Sequence, residues 1–125
     1  MKDNRPPARL LILGGTGDAL RLAQGAVTRF GAALQVISSI AGRTDNPRQP
    51  AGDLRQGGFG GARGLAAYLA DHHIDFMIDA THPFAERITA NAATAAAEIG
   101  LPFLQLDRPA WTAGAEDRWY PADSA

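Results

Sequence analysis

The residues of this chain best equipped for chemistry fall in short glycine- and hydroxyl-rich runs. Gly14-Gly15-Thr16-Gly17-Asp18 comes first, directly after the apolar stretch Leu10-Leu11-Ile12-Leu13. A glycine turn between a strand and a helix offers an anion unpaired backbone N–H groups and the positive end of the helix dipole, about half a unit charge. Glycine lets the backbone approach a pyrophosphate with no Cβ in the way, and Thr16 adds a hydroxyl donor. Gly15 and Gly17 fit the first two glycines of the dinucleotide fingerprint G-x-G-x-x-G, whereas the third position holds Leu20. No Gly-Lys-Ser/Thr follows, so the run is not a Walker A loop. Gly14, Gly15, Thr16, Gly17 and Asp18 are expected to bind the phosphates of a dinucleotide. The alternative is a tight turn with a structural role alone.

The second run is Ser38-Ser39-Ile40-Ala41-Gly42-Arg43-Thr44. Dinucleotide folds usually place an Asp or Glu there for the ribose 2′-hydroxyl, and this run has no carboxylate. Hydroxyls and a guanidinium suit a 2′-phosphate, so Ser38, Ser39, Arg43 and Thr44 favour NADP(H) over NAD(H). Without a ligand, Arg43 reads as a solvated loop arginine. A third run, Gly57-Gly58-Phe59-Gly60-Gly61, is entropically costly to order. Close approach of a ligand would explain its glycines, with Gly58, Phe59, Gly60 and Gly61 as contacts and Phe59 against a flat ring. A mobile surface loop is the equal alternative.

Asp79-Ala80-Thr81-His82-Pro83-Phe84-Ala85 stands at the carboxyl end of an expected strand, the side on which open α/β sheets bind ligands. His82 there could donate a hydrogen bond, orient a substrate carboxylate or transfer a proton. It could equally just cap the helix that Pro83 begins. His72-His73 have no partner at metal-ligating spacing and read as helix-end residues, so no metal site is expected.

Holding these runs in place requires a scaffold. Residues 9–13, 34–40, 54–56, 74–80 and 103–106 read as strands. Ala19, Ala23, Ala26, Val27 and Phe30 share one face of a first helix, ended by Gly31. Ala62, Leu65, Ala66 and Leu69 mark a second helix; Phe84, Ile88, Ala92, Ala95 and Ile99 mark a third, ended by Gly100 and Pro102. This alternation implies an α/β fold, a Rossmann-like three-layer domain with a parallel sheet of about five strands. Residues 1–8 are expected to be a disordered tail, 9–111 the nucleotide-binding domain, and 112–125 a linker or the start of a further domain.

Composition narrows the function classes. The 125 residues suffice for one domain with a core. A formal net charge of −1 gives no basic field for nucleic acid. Cysteine is absent, which excludes disulfides, thiolate zinc sites and iron–sulfur clusters. No apolar run approaches the roughly 20 residues of a membrane span. The 10–13 run is too short for a secretory signal, and a cytoplasmic location is expected.

Taken together, the runs form a set. Leu11-Ile12-Leu13-Gly14-Gly15-Thr16-Gly17, Ala41-Gly42-Arg43-Thr44, Gly57-Gly58-Phe59-Gly60-Gly61, Asp79-Ala80-Thr81-His82-Pro83-Phe84-Ala85 and Arg108-Pro109-Ala110-Trp111 occur in that order. They closely resemble the N-terminal half of the precorrin-6A (precorrin-6X) reductase family, over residues 10–111. The resemblance implies NADPH-dependent reduction of one double bond of the precorrin-6A macrocycle to precorrin-6B, related members acting on the cobalt-containing form. It implies that Gly14, Gly15, Thr16 and Gly17 bind the pyrophosphate and that Arg43 and Thr44 bind the adenosine end. The glycine loop, Thr81, His82, Pro83 and Phe84 would border the nicotinamide and the macrocycle. Arg87 and Arg108 would meet the carboxylates of this tetrapyrrole substrate. Family members carry a second α/β domain, and their substrate lies in the cleft between the two. A second domain, a partner chain or a second copy is therefore expected to complete the site. Two other readings stay open. One is an atypical Rossmann-type reductase, against which neither Tyr68 nor Tyr120 has a lysine four residues on. The other is a non-catalytic NADP-binding module.

Overall fold

Strands form where apolar runs can be covered on both faces, and β1 shows why. The computed structural model describes residues 6–40, 51–81 and 86–106. Within them lie β1 (Ala8–Leu13), α1 (Gly17–Phe30), a 3-10 turn (Gly31–Ala33), β2 (Leu34–Ile40), β3 (Asp53–Gln56), α2 (Gly61–Asp71), β4 (Phe76–Asp79), α3 (Glu86–Ile99) and β5 (Phe103–Gln105). The strands pair in parallel in the order β3-β2-β1-β4-β5. This is the expected Rossmann-like α/β sheet, and the chain reverses its direction of travel across the sheet between β1 and β4. No helix among the described residues is long and apolar enough to cross a membrane.

Alternation along β1 serves two separate cores. Leu10 and Ile12 join Val36 and Ala80 beneath α1, which contributes Ala19 and Ala23. Leu11 and Leu13 join Ile37 and Met77 beneath α2 and α3, which contribute Leu65, Leu69, Ala92 and Ala95. Each such Leu or Ile side chain contributes about 1.5–3 kcal/mol on burial. Alanine at the helix contacts brings α1 and α3 close to the sheet, so the turns at the strand ends are held tightly as well.

Several expectations shift by a turn or less. Ala8, expected to lie before the first strand, already pairs with Leu34 in the sheet. The fourth strand begins at Phe76 rather than at residue 74, since the Ile74 N–H donates to Leu69 O at the end of α2. His72 caps α2, and His73 takes a left-handed backbone with φ 54°. Phe30 and Ile99, expected to be buried, are exposed at the last residues of α1 and α3. Phe30 stands at the edge of the sheet beside Ala8 and Leu34, and Ala96 takes the inward place on α3. Phe30, Phe76 and Leu104 rim an apolar groove at the amino ends of the strands, opposite the glycine turns.

Candidate functional site

The carboxyl ends of β1, β2, β3 and β4 are tied together by backbone hydrogen bonds that extend the ladder into the turns. Gly14 N–H donates to Ser39 O at 2.8 Å, Ala80 N–H to Leu13 O at 2.9 Å, and Gly57 N–H to Ile40 O at 2.8 Å. Three chain segments that could carry a ligand are thereby fixed to one rim.

In the first turn each glycine has its own reason. A Cβ on Gly14 would sit 3.2 Å from the Ala19 Cβ, so glycine there lets α1 pack on the strand end. Gly15 has φ +105°, a backbone that side chains resist. Gly17 has neither constraint, and a Cβ there would lie 3.6 Å from the Arg21 guanidinium, ordinary contact. The fold does not demand glycine at this first residue of α1, whereas a group lying close against the helix N-terminus would.

Thr16 is the N-cap of α1, and its hydroxyl oxygen accepts from Ala19 N–H at 3.0 Å. The hydroxyl proton goes to Ala80 O at 2.8 Å. The Thr16 hydroxyl, expected as a donor to a phosphate, is thus engaged within the protein in this structure. Asp18 lies in the first turn of α1, where its charge suits the dipole, and pairs with the Arg21 guanidinium one turn on.

The two serines of β2 part company. Successive strand residues face opposite sides. Ser38 follows Val36 toward the α1 side, buried, with no hydrogen-bond partner for its hydroxyl oxygen among the described residues. Ser39 turns toward α2 and lines a cavity of about 190 Å³. Leu13, Gly14, Gly58, Phe59, Gly60 and Gly61 enclose that cavity together with Leu65, Thr81, Arg87, Ile88 and Asn91. Its wall is largely apolar, with a guanidinium, an amide and hydroxyls at intervals, the pattern of a small-molecule site. It opens at the carboxyl ends of β1 and β4, where the strand order reverses.

Thr81 reaches this wall through Asp79. The buried carboxylate accepts from Thr81 N–H at 3.0 Å and from the Thr81 hydroxyl at 2.6 Å through one oxygen. Its other oxygen accepts from the Thr89 hydroxyl on α3. Asp79 therefore sets the exit of the chain from β4 and joins that exit to α3. The glycine loop is held by Arg55 of β3, whose guanidinium donates to Gly57 O at 2.7 Å and Gly58 O at 3.1 Å.

Of the residues singled out from sequence, the fold brings Gly14, Ser39, Gly58, Phe59, Gly60, Gly61, Thr81 and Arg87 to one cavity. Arg43, Thr44, His82, Pro83, Phe84 and Arg108 lie outside the described residues. Sequence reasoning missed Asn91, although it stands one helical turn beyond Arg87 and so on the same face. It also missed Arg55, and it named Asp79 within its run without a role, because both roles depend on partners brought together by the fold.

The family model of "Precorrin-6x reductase CbiJ/CobK" matches residues 9–125. The chain is 49% identical over 114 residues to the precorrin-6A reductase of Rhodococcus erythropolis, covering 91% of this chain and 45% of that protein. It is 47% identical over 106 residues to the precorrin-6A reductase of Mycobacterium tuberculosis (strain CDC 1551 / Oshkosh), covering 85% of this chain and 42% of that one. A solved structure titled "CobK precorrin-6A reductase" superposes with a TM-score of 0.79 at 43% identity, over 90% of this chain and 44% of that one. The chain thus spans less than half the length of these relatives. Fold, turn chemistry and sequence agree across the whole β1-to-β5 sheet: the chain belongs to the precorrin-6x reductase family.

Proposed function

We propose that this chain is the cofactor-binding half of an NADPH-dependent precorrin-6A reductase, which reduces one double bond of the macrocycle to give precorrin-6B in cobalamin biosynthesis. The observation that carries this reading is the cavity at the reversal of strand order, walled by the glycine loop and set beside a helix N-terminus whose Gly17 the fold itself does not require. NADPH, when bound, supplies a hydride. The backbone N–H groups around Gly15, Thr16 and Gly17 would hold its pyrophosphate. Ser39, with Arg43 and Thr44, would take the adenosine end, the guanidinium matching a 2′-phosphate. Gly58, Phe59, Gly60 and Gly61 would flank the nicotinamide and exclude water from it.

The substrate side falls to Thr81, His82, Pro83, Phe84, Arg87 and Arg108. Arginines suit the many carboxylates of a precorrin. Hydride transfer depends on positioning and charge stabilisation more than on a dedicated acid or base, so His82 would orient substrate or donate the balancing proton. A second domain, a partner chain or a second copy would complete the macrocycle site. The setting for this chemistry would be the cytoplasm.

Amide-resolved NMR titration with NADPH tests the placement. The reading expects the largest shifts at Gly14, Gly15, Gly17, Gly58 and Gly60. Shifts confined to the apolar groove around Phe30 and Leu104, or none at all, would contradict it.

A further inference from the structure

Among the described residues, Phe59 is the one aromatic side chain lining the cavity, and it is fixed from behind. The Arg55 guanidinium carbon lies 3.8 Å from the Phe59 ring centroid and 5.0 Å from that of Tyr68. Phe59 and Tyr68 meet edge to face, with centroids 5.2 Å apart. The same guanidinium donates to the Gly57 and Gly58 carbonyls and reaches Ser39 Oγ at 3.4 Å. It is half-buried, and no carboxylate pairs with it among the described residues. One cation thus holds the backbone on the near side of Phe59, the ring itself and the end of β2, while Arg55 does not line the cavity.

A loop of four glycines around one phenylalanine has many conformations to lose on ordering. A flat ring can face a planar ligand usefully only if its plane is set before binding. The planar fork of arginine bridges two successive carbonyls while its face lies on a ring; the compact ammonium of lysine cannot do both. Gly64 closes the loop from the other side, for a Cβ there would stand 1.7 Å from Phe59 O.

We propose that Arg55 is a positioning residue that acts through Phe59, holding its ring as a fixed wall for the planar nicotinamide of the cofactor. This rests on the cofactor reading above. The test compares two ligands, NADPH and 2′-phospho-ADP-ribose, which has the same phosphates and adenosine end but no nicotinamide. Both are titrated into the chain and into its Arg55→Gln, Arg55→Lys and Phe59→Leu variants, with folding checked by thermal melting.

Arg55→Gln and Arg55→Lys should weaken NADPH by about tenfold more than they weaken 2′-phospho-ADP-ribose, whose adenosine end also feels any loosening of Ser39. Phe59→Leu should do the same, and the Arg55→Gln/Phe59→Leu pair should lose no more than either alone. Equal weakening of both ligands would show a merely structural role and overturn the proposal, as would unchanged NADPH binding in folded variants. If Arg55→Gln fails to fold, Arg55→Lys and Phe59→Leu carry the comparison. Failure of the unsubstituted chain to bind either ligand would overturn the cofactor reading and this proposal with it. Binding of both ligands by the unsubstituted chain, with no selective loss in the variants, would overturn the proposal alone.

Discussion

The Thr16 hydroxyl donates to the Ala80 carbonyl at 2.8 Å, joining the turn after β1 to the end of β4 across a sequence separation of 64 residues. The same oxygen caps α1 by accepting from Ala19 N–H. One side chain thus fixes the start of the first helix and the width of the cleft where the strand order reverses. Thr16→Val keeps the shape and loses both bonds. It should cost about 1–3 kcal/mol, the sum of a lost cap and a carbonyl left unpaired, read by urea denaturation. Thr16→Ser should recover most of that loss.

Asp79 is the second tie. Its buried carboxylate accepts from both polar hydrogens of Thr81 and from Thr89. Asp79→Ala should destabilise the fold by about 2–4 kcal/mol, because three donors lose a charged acceptor. Asp79→Asn, which keeps one oxygen for Thr81, should cost less. Thermal melts of the two variants, compared with Thr89→Val, give the ranking.

Two helix glycines should respond in opposite ways to the same change. Gly25 of α1 has open space around its missing Cβ, so Gly25→Ala should stabilise by about 0.5–1 kcal/mol. In α2, Gly64→Ala drives a methyl into the Phe59 carbonyl. It should destabilise by about 1–3 kcal/mol despite the better helix former, and weaken cofactor binding by shifting the loop. Denaturation curves with matched NADPH titrations separate the two effects.

Much of the scaffold was legible because its signals are local. An unbroken apolar run before glycines marks β1, and alanines at helical spacing mark the faces of α1 and α3. The alternation rule also sends Ser38 and Ser39 to opposite faces, a distinction the adjacent pair already carried. What stayed hidden depends on long-range partners. Ala80 takes the Thr16 hydroxyl proton, and nothing near Thr16 in the chain announces it. Arg55 reads as a polar residue in a short strand until the sheet sets it beneath Phe59. Phe30 and Ile99 fit their helical stripes, yet the stripe does not say how much of a helix's last turn the rest of the fold covers.

The central claim is that the glycine turn and the end of β2 bind NADPH, and the most direct measurement is calorimetric titration of this chain with NADPH and with NADH. NADPH should bind at least about tenfold more tightly than NADH, and Arg43→Ala should abolish that preference by removing the partner of the 2′-phosphate. Equal affinity for the two nucleotides, unaffected by Arg43→Ala, would contradict the 2′-phosphate reading. Binding of neither would contradict the account as a whole.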